Sequence, residues 1–193
     1  MKTIKAVGIT ATTLLMLTTS IAPAKAVEPT ITRLVALGEN NILTSDDAKT
    51  QTMLEKQYLK VLKLKDNAKK IQESIASLQK HVGKTWYVFS GNTPSGWDCS
   101  GLTMWFYEQL GIELEHRATV QALGGNKVSD PKPGDIVAFH YENSKKAYHV
   151  GIYIGNGLMI HSPAPGKRTS IDNIEKFGGS YSDISYVRYI DSI

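Results

Sequence analysis

From Thr44 to Val82 the chain contains neither proline nor glycine, and apolar residues return every seventh position, at Leu54, Val61, Ala68, Ile75 and Val82. Leu64, Ile71 and Leu78 fill the second position of the same stripe, with Gln57 the exception. No residue there breaks a helix, and the spacing lays one apolar face along it, so any fold must house about four heptads of α-helix. Thr44 with Asp47 suits a capping box at its start, and Gly83 suits its stop. Two arrangements satisfy the stripe. One is a coiled coil that pairs two copies or another protein. The other is two helices, the later one packed on the domain that follows, and Ala68 and Gln57 in the seam favour it. Lys60, Lys63, Lys65, Lys69 and Lys70 read as a solvated face, with contact to an anionic polymer the weaker reading.

The first 26 residues differ in kind. Lys2 and Lys5 precede "AVGITATTLLMLTTSIAPA", which ends in the small-residue site Ala24-Lys25-Ala26. A basic start, an apolar middle and a small-x-small site form the layout of a secretory leader. The stretch is short and diluted by threonine against the ~20 apolar residues of a membrane span. A leader over 1–26, cleaved after Ala26, is therefore expected rather than an anchor, and no nearby cysteine offers a lipid site. The full chain carries 22 basic and 18 acidic residues, net +4. Without Lys2, Lys5 and Lys25 the balance is 19 against 18, which argues against a nucleic-acid partner, since that needs a concentrated basic face.

Beyond Gly83 the texture changes. "SGNTPSGWD" is a turn-rich loop and "CSGLTMWFYEQLG" is helix-like up to Gly111. "KPGDIVAFHYE", "HVGIYIGNGLMIHSP" and "ISYVRYI" read as strands, the middle one as two runs around Gly-Asn-Gly. A helix-led half followed by an antiparallel sheet makes an α+β domain. The expected organisation is a leader at 1–26, a helical segment at 27–69 and one domain at 70–193.

Cys99 is the only cysteine. Exported proteins commonly pair their cysteines, so a lone thiol in such a chain points to chemistry. At the first turn of a helix it would meet unpaired N–H groups and partial positive charge, both of which favour thiolate. A buried, inert cysteine is an equal reading of that residue alone. The histidines shift the balance, because a nucleophilic thiol needs a base and the base an orienting group. Each of His81, His116, His140, His149 and His161 taken singly is most simply a core or surface residue. His149 and His161, however, open and close the two runs around Gly-Asn-Gly. A two-residue turn would pair Ile152 with His161 and put the two histidines on opposite faces. A three-residue loop would pair Gly151 with His161 and set them on one face, diagonal and roughly 7 Å apart. The three-residue loop is expected, with Gly157 in its left-handed position; a two-residue turn would serve only with a compensating bulge.

Residues from about 70 to 190 resemble the NlpC-type peptidoglycan endopeptidases, cysteine peptidases of the papain-like superfamily. The motifs that carry the resemblance are "GKTWYVFSG", "GWDCSGL", "LEHRATVQ", "KPGDIVAF" and "HVGIYIGNGLMIHSP", in that order. The resemblance implies a papain-like α+β domain with Cys99 as nucleophile, His149 as general base and His161 as the polar group that orients it. It implies that the Tyr87 hydroxyl helps at the oxyanion, that Asp98 and Ser100 contact the substrate's amine end, and that His116, where the family commonly has arginine or histidine, binds substrate at the groove rim. Ser90-Gly91 stands where the family has paired glycines, and Trp86 and Glu115 where it has prolines. These departures bear on substrate preference more than on the triad.

The implied activity is a secreted or wall-associated hydrolase cutting within peptidoglycan stem peptides, by family habit between D-glutamate and the diamino acid. Two other readings stay open: an amidase of the related cysteine–histidine class, and a non-catalytic wall-binding or secretion-associated module. No cofactor and no metal are implied, since two histidines without a third ligand make a poor zinc site. Helix-mediated self-association or a protein partner remains open for the N-terminal segment, as does its acting as a cover over the groove.

Overall fold

The computed structural model describes residues 48–179 and 182–192. The leader expected over 1–26 and the Thr44 cap lie outside the described residues. The chain divides into the units Met1–Ile42 and Leu43–Ile193, and every described residue belongs to the second.

Helix α1 (Ala48–Gln79) is a single unbroken helix, not the pair of helices expected. Its interior holds only residues a helix tolerates, so nothing in it forces a break. The Asp66–Lys70 and Lys69–Glu73 pairs, 2.8 and 3.9 Å apart, bridge successive turns; half exposed or more, each is worth about 0.3 kcal/mol. The apolar stripe is the inward face: Val61, Ile71, Ile75 and Leu78 are buried, while Met53, Leu59 and Leu62 beside it are exposed. The last turns join the domain core, where Ile71, Ile75 and Leu78 pack with Trp97, Leu102 and Phe106. Asn67 Nδ2 also donates to the Asp191 carbonyl at 2.8 Å. Residue 70, the expected start of the domain, therefore falls inside this helix. Overlapping turns lead from Gln79 to Gly83, whose φ of +72° and N–H bond to the Thr169 carbonyl fit the expected stop.

A small hairpin follows, β1 (Asn92–Thr93) with β2 (Gly96–Trp97), then helices α2 (Cys99–Glu108) and α3 (Ala118–Gly124). The remaining strands are β3 (Asn126–Val128), β4 (Ile136–Tyr141), β5 (Ala147–Gly155), β6 (Leu158–His161), β7 (Ser170–Asn173) and β8 (Ser182–Arg188), with the short helix α4 (Ile174–Gly178) before β8. They form one antiparallel sheet in the order β3-β8-β4-β5-β6-β7, the α+β class expected. Its faces differ. Ile136, Ala138, Val150, Ile152 and Ile160 face the helices of the main core. Val137, Phe139 and Met159 face a second cluster closed by Ile174 and Phe177 of α4. Both faces of β4 are thus covered, which is why it reads "IVAF" without alternation.

The β5–β6 connection is a two-residue turn at Asn156-Gly157 that pairs Gly155 with Leu158, not the three-residue loop expected. Asn156 and Gly157 have φ of 55° and 70°, the left-handed pair whose twist matches a two-residue hairpin. A bulge at Ile154 then restores the register. Ile152 faces Ile160, which carries Gly151 to His161, the pairing anticipated by the other route.

Candidate active site

Cys99 is the first residue of α2, and Asp98 caps that helix. Asp98 Oδ1 accepts from the Gly101 N–H at 2.8 Å and from Ser100 Oγ at 3.0 Å, with His116 Nε2 at 2.9 Å. Its Oδ2 accepts from the Ser90 N–H at 3.0 Å. Burial by itself would raise the Asp98 carboxyl, but the bonds from Gly101, His116 and Ser100 outweigh it and hold the group below its ordinary value. The strap at 90–91 lies so close to α2 that a Cβ on Gly101 would collide with the Gly91 carbonyl. Ser90, which stands where the resemblance implies a glycine, sits at φ 56°, a left-handed conformation that glycine adopts at less cost.

Cys99 is half-buried. Burial pushes its thiol up to about 11, although the backbone N–H groups of Val150, Ser100 and Cys99 favour the thiolate. The helix terminus thus acts as expected, but desolvation wins, and the resting sulfur is a protonated thiol. The Val150 contact sets the sulfur against the backbone just beyond His149. Tyr87 lies close by: burial first, then the neighbouring Cys99 and Asp98, raise its hydroxyl, which stays protonated and able to donate.

The histidines form a row across the sheet. His149 on β5 and His161 on β6 are joined Nε2 to Nδ1 at 2.7 Å, their rings nearly perpendicular at 85°. His161 continues the row to β7, with Nε2 2.7 Å from Asp172 Oδ2. The β6–β7 register places Ser170 opposite His161 and Asp172 opposite Met159, so alternation puts Ser170 and Asp172 on the histidine face. Ser170 Oγ donates to Asp172 Oδ2 at 2.8 Å and lies 3.2 Å from His161 Nε2. Phe177 packs on both rings, 4.8 Å from His149 and 4.5 Å from His161. Burial pushes His149 down to about 3, with His161 adding to the effect. Burial also lowers His161, against the Asp172 carboxylate. The resting pair is therefore neutral. Among the described residues no hydrogen bond joins Cys99 Sγ to His149.

The structure gathers Cys99, Tyr87, Asp98, Ser100 and His116 around the start of α2, and His149 with His161 in one row. His81 instead packs edge-on against Trp97 and Trp105, and His140 bonds Ser185 Oγ at 2.8 Å; neither joins the row. Sequence reasoning missed Asp172 and Ser170, which stand in no recognised motif. It also missed Gln121, quoted in a motif but given no role. Gln121 is buried, accepts from Thr103 Oγ1 at 2.6 Å, and donates to the Ser100 and Glu115 carbonyls at 3.0 and 2.8 Å. It ties the first turn of α2 to the loop that carries His116. Among the described residues no group of three His, Cys, Asp or Glu is placed to hold a metal ion, and no helix is long and apolar enough to cross a membrane.

Residues 83–188 match the profile of the NlpC/P60 family. A probable endopeptidase of Mycobacterium tuberculosis is 41% identical over 102 residues, 52% of this chain and 26% of the relative. The probable endopeptidase p60 of Listeria seeligeri is 43% identical over 110 residues, 55% of this chain and 20% of the relative. The chain thus spans about a quarter or less of the length of these relatives. Among solved structures, the NlpC/p60 domain of the peptidoglycan hydrolase SagA is similar at 33% identity and TM-score 0.53, covering 62% of this chain and 98% of that one. An NlpC/P60 family protein from Bacillus cereus matches at 28% identity and TM-score 0.56, covering 62% and 40%.

Proposed function

Because the chain belongs to the NlpC/P60 family, we propose that it is a cysteine endopeptidase cutting peptide bonds in peptidoglycan stem peptides, with D-glutamate to diamino acid the expected bond. The observation that carries this reading is the 2.7 Å His149–His161 contact beside a lone thiol at a helix start. The similarity to chains named probable endopeptidases and to a peptidoglycan hydrolase domain supports it.

The chemistry follows from the neutral resting pair. His149 Nδ1 takes the Cys99 proton as Sγ attacks the substrate carbonyl carbon, so thiolate forms only as it is used. The developing oxyanion meets the Tyr87 hydroxyl and the backbone N–H groups at the start of α2. The carbon–nitrogen bond then breaks and His149 returns the proton to the leaving amine. Water, deprotonated by His149, attacks the thioester, and the thiol leaves with that proton. Asp98 and Ser100 are turned inward onto the α2 cap, so His116, the more exposed partner, meets the substrate's amine end with the Asp98 carboxylate behind it. The leader at 1–26 would export the chain to the wall, with the segment at 27–69 ahead of the domain at 70–193.

Mass spectrometry of peptidoglycan fragments incubated with the purified chain, beside Cys99→Ala, tests the reading. Fragments split inside the stem peptide by the wild type alone are expected, and their masses name the bond. Products split between sugar and peptide would make the chain an amidase. No cleavage by a folded wild type would overturn the hydrolase reading.

A further inference from the structure

We propose that Asp172 is a positioning residue that sets the proton arrangement of both histidines, leaving His149 Nδ1 as the free base. The inference rests on Cys99 and His149 being the nucleophile and base. A carboxylate accepts hydrogen bonds and cannot donate, so the 2.7 Å contact with Asp172 Oδ2 requires the His161 proton on Nε2. His161 Nδ1 is then an acceptor, and the 2.7 Å contact with His149 must be donated by His149 Nε2–H. The only nitrogen of His149 left with a lone pair is Nδ1. The network assigns these tautomers as a chain in which each step forces the next.

Without Asp172 the chain can run backwards. His161 carrying its proton on Nδ1 would donate to His149 Nε2, and His149 would hold its own proton on Nδ1, unable to accept one from Cys99. His161 is fully buried and Phe177 covers both rings, so the acceptor left nearby is the Ser170 hydroxyl, 3.2 Å from Nε2, a weaker acceptor than a carboxylate. The Asp172 side chain is 44% exposed, so its charge stays hydrated while one oxygen reaches inward, held by Ser170. The charged groups acting on the pair are Asp172 from β7 and Asp98 from the α2 cap; Phe139 and Phe177 supply only apolar surface.

The test uses the full chain and two readouts that need no peptidoglycan. Nitrogen-15 NMR of the imidazoles reports the tautomers, and the iodoacetamide alkylation rate of Cys99 against pH reports the base. In the wild type both histidines should be protonated on Nε2 near neutral pH. Asp172→Ala should give mixed tautomers, slow alkylation about tenfold or more, and move the acid limb to lower pH, because the carboxylate that favours imidazolium is gone. Asp172→Glu should recover tautomers and rate, and Asp172→Asn should shift the acid limb if the alanine variant does not fold. Unchanged tautomers in Asp172→Ala, or slower alkylation with unchanged tautomers, would overturn the proposal. A wild type that shows these tautomers and pH profile yet cleaves no peptidoglycan would sink the hydrolase reading alone.

Discussion

At the scale of single residues, the candidate site depends on side-chain atoms that are missing as well as on those that are present. Gly101 follows Cys99 by two positions, and any side chain there meets the Gly91 carbonyl, a backbone atom that cannot swing aside. Gly91 is itself pinned, because a Cβ on it would strike the Gly96 carbonyl. The strap that supplies the Ser90 N–H to Asp98 therefore rests directly on the first turn of α2. Gly101→Ala is expected to cost about 3 kcal/mol, at the upper end for overpacking, since neither backbone can yield. Urea unfolding measures this, and an unchanged midpoint would mean that the strap moves freely.

At the scale of elements, the row of groups is built by strand register. β5, β6 and β7 each contribute one member, and a one-residue slip would send that member to the other face of the sheet. The bulge at Ile154 is what reconciles an Asn-Gly turn with His149 and His161 on one side. Gly151 completes the arrangement: a Cβ there would lie 3.1 Å from His161 Cβ and 3.0 Å from Met159 Sδ. Those contacts are tight but not prohibitive, so the neighbours would shift by tenths of an ångström. Gly151→Ala should therefore fold, yet displace His161 and slow Cys99 alkylation severalfold while the melting temperature falls little. The reverse outcome, lost stability with normal alkylation, would remove Gly151 from the site's design.

At the scale of the whole molecule, folding holds two neutral histidines in the interior, and that makes stability depend on pH. An unfolded histidine titrates near 6.5, whereas His149 is pushed down to about 3 and His161 is also lowered, in both cases chiefly by burial. Between those values the unfolded chain binds more protons than the folded one, so stability is full above about pH 6.5 and declines as pH falls. Asp98 and Asp172, held below ordinary carboxylate values by their hydrogen bonds, add a loss of the same sign at the acid end. The melting temperature should be level above pH 7 and drop by several degrees toward pH 4, with a shallower drop in His149→Gln. A flat profile from 7 to 4 would contradict burial of the neutral pair.

What local interactions control was legible in the chain alone. The stripe from Leu54 to Val82 placed α1 and its inward face, and the DCSG run placed Cys99 at a helix start, to which the structure adds the Asp98 cap. The two runs around Gly-Asn-Gly brought His149 and His161 together, through the right pairing though by the wrong turn. The rest came from packing between elements far apart in the chain. Asp172 joins the row because β7 lies beside β6, and Gln121 ties down α2 across 21 positions of chain. Packing also sets the direction in which the Cys99 thiol shifts, upward. Helix-terminal amides are local and legible in sequence, but desolvation sums over every neighbour that packing delivers, and here that sum is the larger.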